Sequence, residues 1–377
     1  MLTNVVNGYN INNVISTRAN RVLTRKIKAV ERLIGERQAA ILALIIDSYI
    51  KTGEPIGSKT IAGLLPYKIS SATIRNEMAY LSELGLLEQM HTSGGRIPSK
   101  ASFRYYVDNL MIPKMPDEYE KQQINELLSV NAGDPERLLH DASLILAQET
   151  NCAAFYDTVK DSYDCVQGAE LIPAGNNKAM IVMLSVGGKI RSSVCKLSCP
   201  ADDEFKKLFY FITRKYFTGT ALKDVNLALL QNTVPDLGAR VFDMLPALTS
   251  LCSLCAEAYN GSLEFEGETN LLSHKELGDN VYKILSFFAS RSQIRSAIEQ
   301  LARNGREMQL FIGDENPHPM LKNTVTLVSK FSYNNSQTAV LGIIGSSRID
   351  YATVLPRAEY IMNTVKKYLR EGGASFE

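Results

Sequence analysis

Residues 57–106, GSKTIAGLLPYKISSATIRNEMAYLSELGLLEQMHTSGGRIPSKASFRYY, constrain the fold more than any other stretch. Two helical periodicities joined by a proline turn run directly into a glycine-rich hairpin. Ser70 and Ser71 are good N-caps, and Ile74, Met78, Leu81 and Leu84 follow at steps of three or four until Gly85 stops the pattern. The opposite face of that amphipathic helix carries Ser71, Thr73, Arg75, Asn76 and Tyr80, mostly in its first half. A shorter helix over residues 58–65 precedes it, with Ile61, Leu64 and Leu65 expected inside and Lys59 outside, and residues 66–69 form the turn. After Gly85, residues 86–90 read as a strand, Ser93-Gly94-Gly95-Arg96 as a turn tip, and Ile97-Pro98 as the return strand. A helix-turn-helix followed by such a hairpin is a winged helix.

That pattern points to a nucleic acid duplex. The first turns of a recognition helix reach base edges and phosphates in a major groove. Arg bonds guanine through two donors, Asn does the same to adenine, and hydroxyls and helix N-terminal amides hold phosphate oxygens. The expected DNA-contacting set is therefore Lys59, Ser71, Thr73, Arg75, Asn76, Tyr80, Ser93, Gly94, Gly95, Arg96 and Lys100. In it Arg75 and Asn76 read bases, Arg96 meets backbone or a minor groove from the wing tip, and the glycines let backbone approach the duplex. Two helices joined by a short turn also occur in many α-rich domains, where exposed charge is merely solvated. The wing, the polar face and the local charge together favour DNA.

Charge is unevenly spread. Residues 1–112 hold 14 Lys and Arg against 8 Asp and Glu, whereas the remainder holds 27 against 32. Only the first part is poised for a polyanion. Residues 1–33 are Asn-rich, lack an acidic residue before Glu31, and carry Arg18, Arg21, Arg25, Lys26, Lys28 and Arg32. A basic arm tracking phosphates is one reading; a disordered tail from an upstream start, or a weak likeness to a transit peptide, are others.

Longer blocks carry a family resemblance. ERQAAILALIIDSYIKTGEPIGSKTIA and SSATIRNEMAYLSELGLLEQMHTSGGRIPSKASFRYYVD are followed much later, in order, by NLLSHKEL, FIGDEN and VLGIIGSSRIDYATVLP. The chain resembles the bacterial heat-inducible transcription repressor HrcA family over nearly everything after Leu33. The resemblance implies a homodimeric repressor that binds an inverted-repeat operator in double-stranded DNA upstream of chaperone operons and depends on the GroE chaperonin. It also implies an α+β multidomain fold: an N-terminal winged helix-turn-helix, then a GAF-like α+β domain interrupted by an inserted dimerisation domain. The basic extension departs from the family pattern.

The elements agree with several domains. A helix over 36–51 completes the DNA-binding core, another over 101–110 buries Phe103, Tyr106, Val107 and Leu110, and prolines at 113 and 116 mark a linker. Two amphipathic helices fill 118–148, the second opened by Asp134-Pro135. Strands follow at 153–156, 166–172, 179–186 and 190–196, then helices at 202–217 and 237–259. Helices at 280–289 and 293–304, strands at 308–312, 325–330 and 338–344, and a helix at 351–369 complete the chain. The expected layout is an extension to 34, the winged helix at 35–112, GAF-like parts at 113–199 and 271–377, and the inserted dimerisation domain at 200–270.

Chemistry beyond binding is not expected. The chain is 45% hydrophobic and 21% charged, as in ordinary soluble proteins, and no apolar run approaches the eighteen residues of a membrane span, so a cytoplasmic protein is expected. Gly187-Gly188-Lys189 lacks phosphate-loop spacing, and Gly342 with Gly345 reads as packing. His91, His140, His274 and His318 stand far apart, and Asp314-Glu315 reads as solvated loop acids. Six cysteines read as reduced thiols; Cys252 and Cys255 share a buried helix face, with no second pair to complete a metal site. No enzyme, cofactor or metal is expected. A winged-helix regulator switched by a small ligand in the GAF-like pocket is the alternative, and an enzyme carrying a DNA-binding module a distant third.

Overall fold

A computed structural model describes residues 33–89, 95–158, 163–303, 308–333 and 337–371. The basic extension, His91 and the wing tip at Ser93 and Gly94 lie outside these residues. The chain divides into two compact units. Unit 1 comprises the residues up to Tyr156 with Glu264–Phe331 and the chain from Val340 on; unit 2 comprises Asp157–Leu263 and Ser332–Ala339.

Unit 1 opens with the helices α1 (Glu36–Thr52), α2 (Ser58–Leu64) and α3 (Ser71–Glu83), then the antiparallel hairpin β1 (Leu87–Gln89) and β2 (Arg96–Pro98). Ile41, Leu42, Ile45 and Ile46 on α1, Ile61 on α2, and Ile74, Met78 and Leu81 on α3 form one dry core, because their spacing places them on the facing stripes of the three helices. A backbone bridge between Ile56 and Arg96 adds a third strand-like segment to the hairpin. Leu65 is buried as expected, but Leu64 is half exposed. Helix α2 is too short to bury both, and its end turns Leu64 outward.

Helix α4 (Lys100–Tyr105) continues through a wider turn at Tyr106–Leu110, with Phe103, Tyr106 and Val107 inside. The body of unit 1 then takes α5 (Glu118–Ser129), α6 (Pro135–Thr150) and β3 (Ala153–Thr158). Asp134 caps α6 by accepting the amides of Glu136 and Arg137, with Pro135 in the first helical position.

Unit 2 interrupts the body with the antiparallel meander β4 (Val166–Pro173), β5 (Lys178–Ser185) and β6 (Ile190–Lys196), then α7 (Asp203–Ile212), α8 (Leu227–Leu237) and α9 (Val241–Asn260). Ala179, Ile181 and Met183 alternate inward along β5 onto Phe205, Phe209, Leu248 and Leu251 of the helices. Residues 227–260 are long and apolar enough in composition to cross a membrane, contrary to expectation, yet Gly238–Arg240 breaks them into two helices and their buried residues line this core.

The body resumes with β7 (Leu263–Glu266), α10 (Asn280–Ala289), α11 (Arg291–Ala302), β8 (Met308–Ile312), β9 (Thr324–Tyr333), β10 (Gln337–Ser346) and α12 (Tyr351–Glu371). Its five-stranded sheet runs β7-β3-β10-β9-β8, and α12 packs along α6 and α5. Phe265 stacks on Phe288 with centroids 4.5 Å apart.

The border expected near 200 falls instead at Asp157. Strands β4 to β6 form their own three-stranded sheet, whereas β3 pairs with β7 and β10. Alternation reveals a strand but not its partner: each of the three finds its neighbour through a local hairpin, and their inner face shares a core with α7 and α9.

Candidate nucleic-acid interface

Helix α3 carries the interface. Ser70 is its N-cap, accepting the Thr73 amide at 3.1 Å, and its hydroxyl lies 2.9 Å from that of Thr73. Ser71 and Thr73 are partly exposed at the first turn, and Arg75 and Asn76 are exposed on the outer face. Neither Arg75 nor Asn76 has a side-chain partner among the described residues, so both have their hydrogen-bonding capacity to offer. Lys59 on α2 is exposed as well. Lys68, in the turn before α3, is equally exposed, and helical periodicity gave no reason to single it out.

The adjoining Glu77 is buried and has a different task. Its carboxylate accepts the Gln38 amide at 2.8 Å and pairs with Arg37, while Gln38 also accepts the Gly35 amide at 2.9 Å. Glu77 therefore fixes the start of α1 against the recognition helix. Tyr80 donates its hydroxyl to the Leu33 carbonyl at 3.2 Å, so it anchors the incoming chain.

Arg96 is not at the wing tip. It opens β2 opposite Gln89, bridges Ile56 through backbone bonds of 2.9 Å, and its Nε donates to Ser82 Oγ at 3.2 Å. Gly95 likewise serves the hairpin's interior: a Cβ there would come within 2.7 Å of the Ile56 backbone, so the close approach that requires glycine is internal. Lys100 lies 3.2 Å from Asp314.

Of the loop acids after β8, Asp314 is exposed as expected, but Glu315 departs from the solvated reading. Glu315 is buried and receives Arg104 Nε at 2.8 Å, while Arg104 Nη2 donates to the Leu310 carbonyl at 2.8 Å. Burial alone would disfavour the Arg104 charge, but the Glu315 bond and carboxylate hold it above its ordinary range. The other expected non-sites sit in packed positions. Lys189 donates to the Ala258 carbonyl at 3.1 Å, and the buried Asp164 accepts Ser185 Oγ and the Gly187 amide at 2.8 Å each. A Cβ on Gly342 would meet Phe155 at 2.6 Å, and one on Gly345 would meet Cys152 Sγ at 2.6 Å. Burial pushes the Cys252 thiol up to about 11 and that of Cys255 to about 12, both inside the core of unit 2. Among the described residues, His140, Glu264 and Glu266 bring three metal-capable donor atoms within 4.8 Å, partly exposed, with His140 Nε2 3.6 Å from Glu266. Sequence separation hid that grouping.

A winged helix whose recognition helix presents free polar side chains, joined to an α+β body, is the arrangement of a DNA-binding transcription regulator. The model of the winged helix-turn-helix transcription repressor HrcA DNA-binding domain matches residues 34–108, and that of the HrcA protein C terminal domain matches 136–355. The chain belongs to the HrcA family of heat-inducible transcription repressors. The heat-inducible transcription repressor HrcA of Desulforudis audaxviator is 30% identical over 341 residues, 90% of this chain and 98% of that protein. The heat-inducible transcription repressor HrcA of Lactobacillus acidophilus is 28% identical over 352 residues, 92% and 100% of the two chains. A crystal structure of a hypothetical protein at 2.2 Å resolution shares the fold, with a TM-score of 0.63 at 20% identity over 90% of this chain and 99% of that one.

Proposed function

We propose that this chain, as a homodimer, represses heat-shock chaperone operons by binding an inverted-repeat operator, with Arg75 and Asn76 reading bases and the GroE chaperonin raising the fraction of active protein. The exposed, unpartnered Arg75 and Asn76 on the outer face of α3 carry the reading, since Ile74, Glu77, Met78 and Leu81 face inward. Lys59, Ser71, Thr73 and Lys68 surround them with phosphate donors.

Unit 2 supports the dimer. By register, Ile172, Met180 and Val194 lie side by side on one sheet face with Val182, Leu184 and Ile190, the face opposite the buried Ile181 and Met183. Ile172, Ile190 and Val194 are about half exposed or more among the described residues. Such an apolar face is stabilised by a second copy of the same surface. The same exposed area is a reason for a chaperonin to hold the chain.

The test is titration of purified protein against the inverted repeat upstream of a chaperone operon, against one half-site and against scrambled DNA, with and without chaperonin at equal repressor concentration, beside sedimentation of the free protein. A monomer that binds half-site and full repeat equally would overturn the dimer. Full, lasting activity without chaperonin would overturn that dependence.

A further inference from the structure

Three sequence blocks outside the winged helix grip it at two points. From NLLSHKEL come His274 and Glu276; from GIIGSSRIDY come Ser346 and Arg348; from FIGDEN comes Glu315. Arg348 reaches the C-terminal end of α1, where Nη1 donates to the Ile50 carbonyl at 2.8 Å and lies 3.4 Å from that of Tyr49. The Tyr49 carbonyl already accepts the Gly53 amide at 2.8 Å, but that of Ile50 lies in the last turn, where the helix dipole ends in partial negative charge, so a guanidinium is the fitting cap. Gly53 ends the helix at φ 73°, and a Cβ on it would sit 3.3 Å from the guanidinium carbon, so glycine leaves room for the cap. Glu276 holds Arg348 from behind at 3.0 Å and is itself bonded by Ser346 Oγ and lies 3.3 Å from His274 Nδ1. The second grip is the buried Arg104–Glu315 pair, with Phe103 packed on Tyr351 at 5.6 Å between centroids. Glu315 is oriented in turn by the Ile312 amide at 2.8 Å.

We propose that Arg348 and Glu276, with Arg104 and Glu315, are positioning residues that fix the angle at which the body presents the recognition helix, and so set which half-site spacing the repressor accepts. The spacing part rests on the dimeric reading above. Both grips are multi-bonded, and the Arg104–Glu315 pair is buried, the kind of ion pair that specifies geometry more than it adds stability. Two points, the C-terminal ends of α1 and of α4, with Tyr49 packed on Phe103 between them at 6.4 Å, define an orientation where one would act as a pivot.

The experiment uses the full-length chain with Arg348→Ala, and Glu276→Gln as the second variant should the first fold poorly. Each is titrated against a half-site, the native inverted repeat, and the repeat with its half-sites moved apart by half a helical turn. Two rigidly held heads should favour the native spacing by roughly 100-fold, while half-site affinity stays within about twofold on loosening. The variants should lose about tenfold or more of that spacing preference. Hydrogen exchange gives a readout free of the dimer: amides near residues 47–53 should exchange faster in Arg348→Ala, those of 71–83 unchanged. Undiminished spacing preference in the variants overturns the proposal. So does unchanged exchange at 47–53, or acceleration throughout the head. Wild-type protein indifferent to spacing would refute the dimer instead, and the exchange result then decides the clamp by itself.

Discussion

Neighbouring side chains on α3 have opposite fates. Arg75 and Asn76 point to solvent, and Glu77 is buried under Arg37 and Gln38. Replacing Arg75 or Asn76 with Ala should cost about 1–3 kcal/mol at the operator and blur preference at one base pair, with thermal stability unchanged. Fluorescence anisotropy on operator variants and a melting curve check both halves; equal weakening on every DNA sequence would make them phosphate contacts. Gly95→Ala should destabilise the winged helix by about 1–3 kcal/mol, because its Cβ collides with rigid Ile56 backbone. Denaturant titration measures it, and a stability equal to wild type would show the hairpin yielding there. The recognition face was legible because 3.6-residue periodicity sorts inside from outside. What Arg96 and Glu315 touch was not, since Ser82 and Arg104 become neighbours only through tertiary pairing.

At the scale of elements, the helices with strong caps were read almost to the residue. Ser70 and Asp134 announce α3 and α6 through local bonds that need no tertiary partner. Helix α8 escaped notice: Pro235 interrupts it, and Leu227–Leu237 is apolar on too many sides for a clear stripe. The strands β4 to β6 were visible by alternation, but their sheet was not. The winged helix is also less independent than its own core suggests, for Phe103 and Arg104 are completed by Tyr351 and Glu315. A fragment ending at Ile112 should fold on Ile41, Ile45, Ile74 and Leu81, melt below the intact chain, sediment as a monomer and bind full and half operators alike. Circular dichroism and ultracentrifugation check these points. A dimeric fragment would move the interface into the head.

For the whole molecule, acid should draw stability from the contact that holds the head. Burial alone would raise the Glu276 carboxyl, but bonds from His274, Ser346 and Arg348 hold it well below the usual carboxylate range. A depressed carboxylate contributes stability that is fully present above its unfolded pKa of about 4.3 and is lost as pH falls through the folded value. Glu276→Gln should therefore lower stability near neutrality and flatten the acid limb of the stability–pH curve, so that variant and wild type converge in acid. An acid limb as steep as wild type would assign the loss to other carboxylates.

The neck of the insertion bears on how such a chain came to be assembled. Strands β3 and β7, through which the backbone leaves and re-enters the body, are adjacent in the sheet, and the Thr158 amide reaches the Ser262 carbonyl at 2.9 Å. Gly261, at φ 68°, lies where a Cβ would strike the Thr158 carbonyl, so the two passages run nearly in contact. A segment whose ends already meet asks little loop-closure entropy of its host, and its length is free to drift. The stretch between residues 158 and 262 is thus a cassette: bridging residue 158 to residue 262 with a two- or three-residue turn should leave a body that still folds, deprived of the apolar face on which two copies would meet. Lineages could lengthen, shrink or exchange that cassette while the apparatus that grips the DNA-binding head stayed as it is.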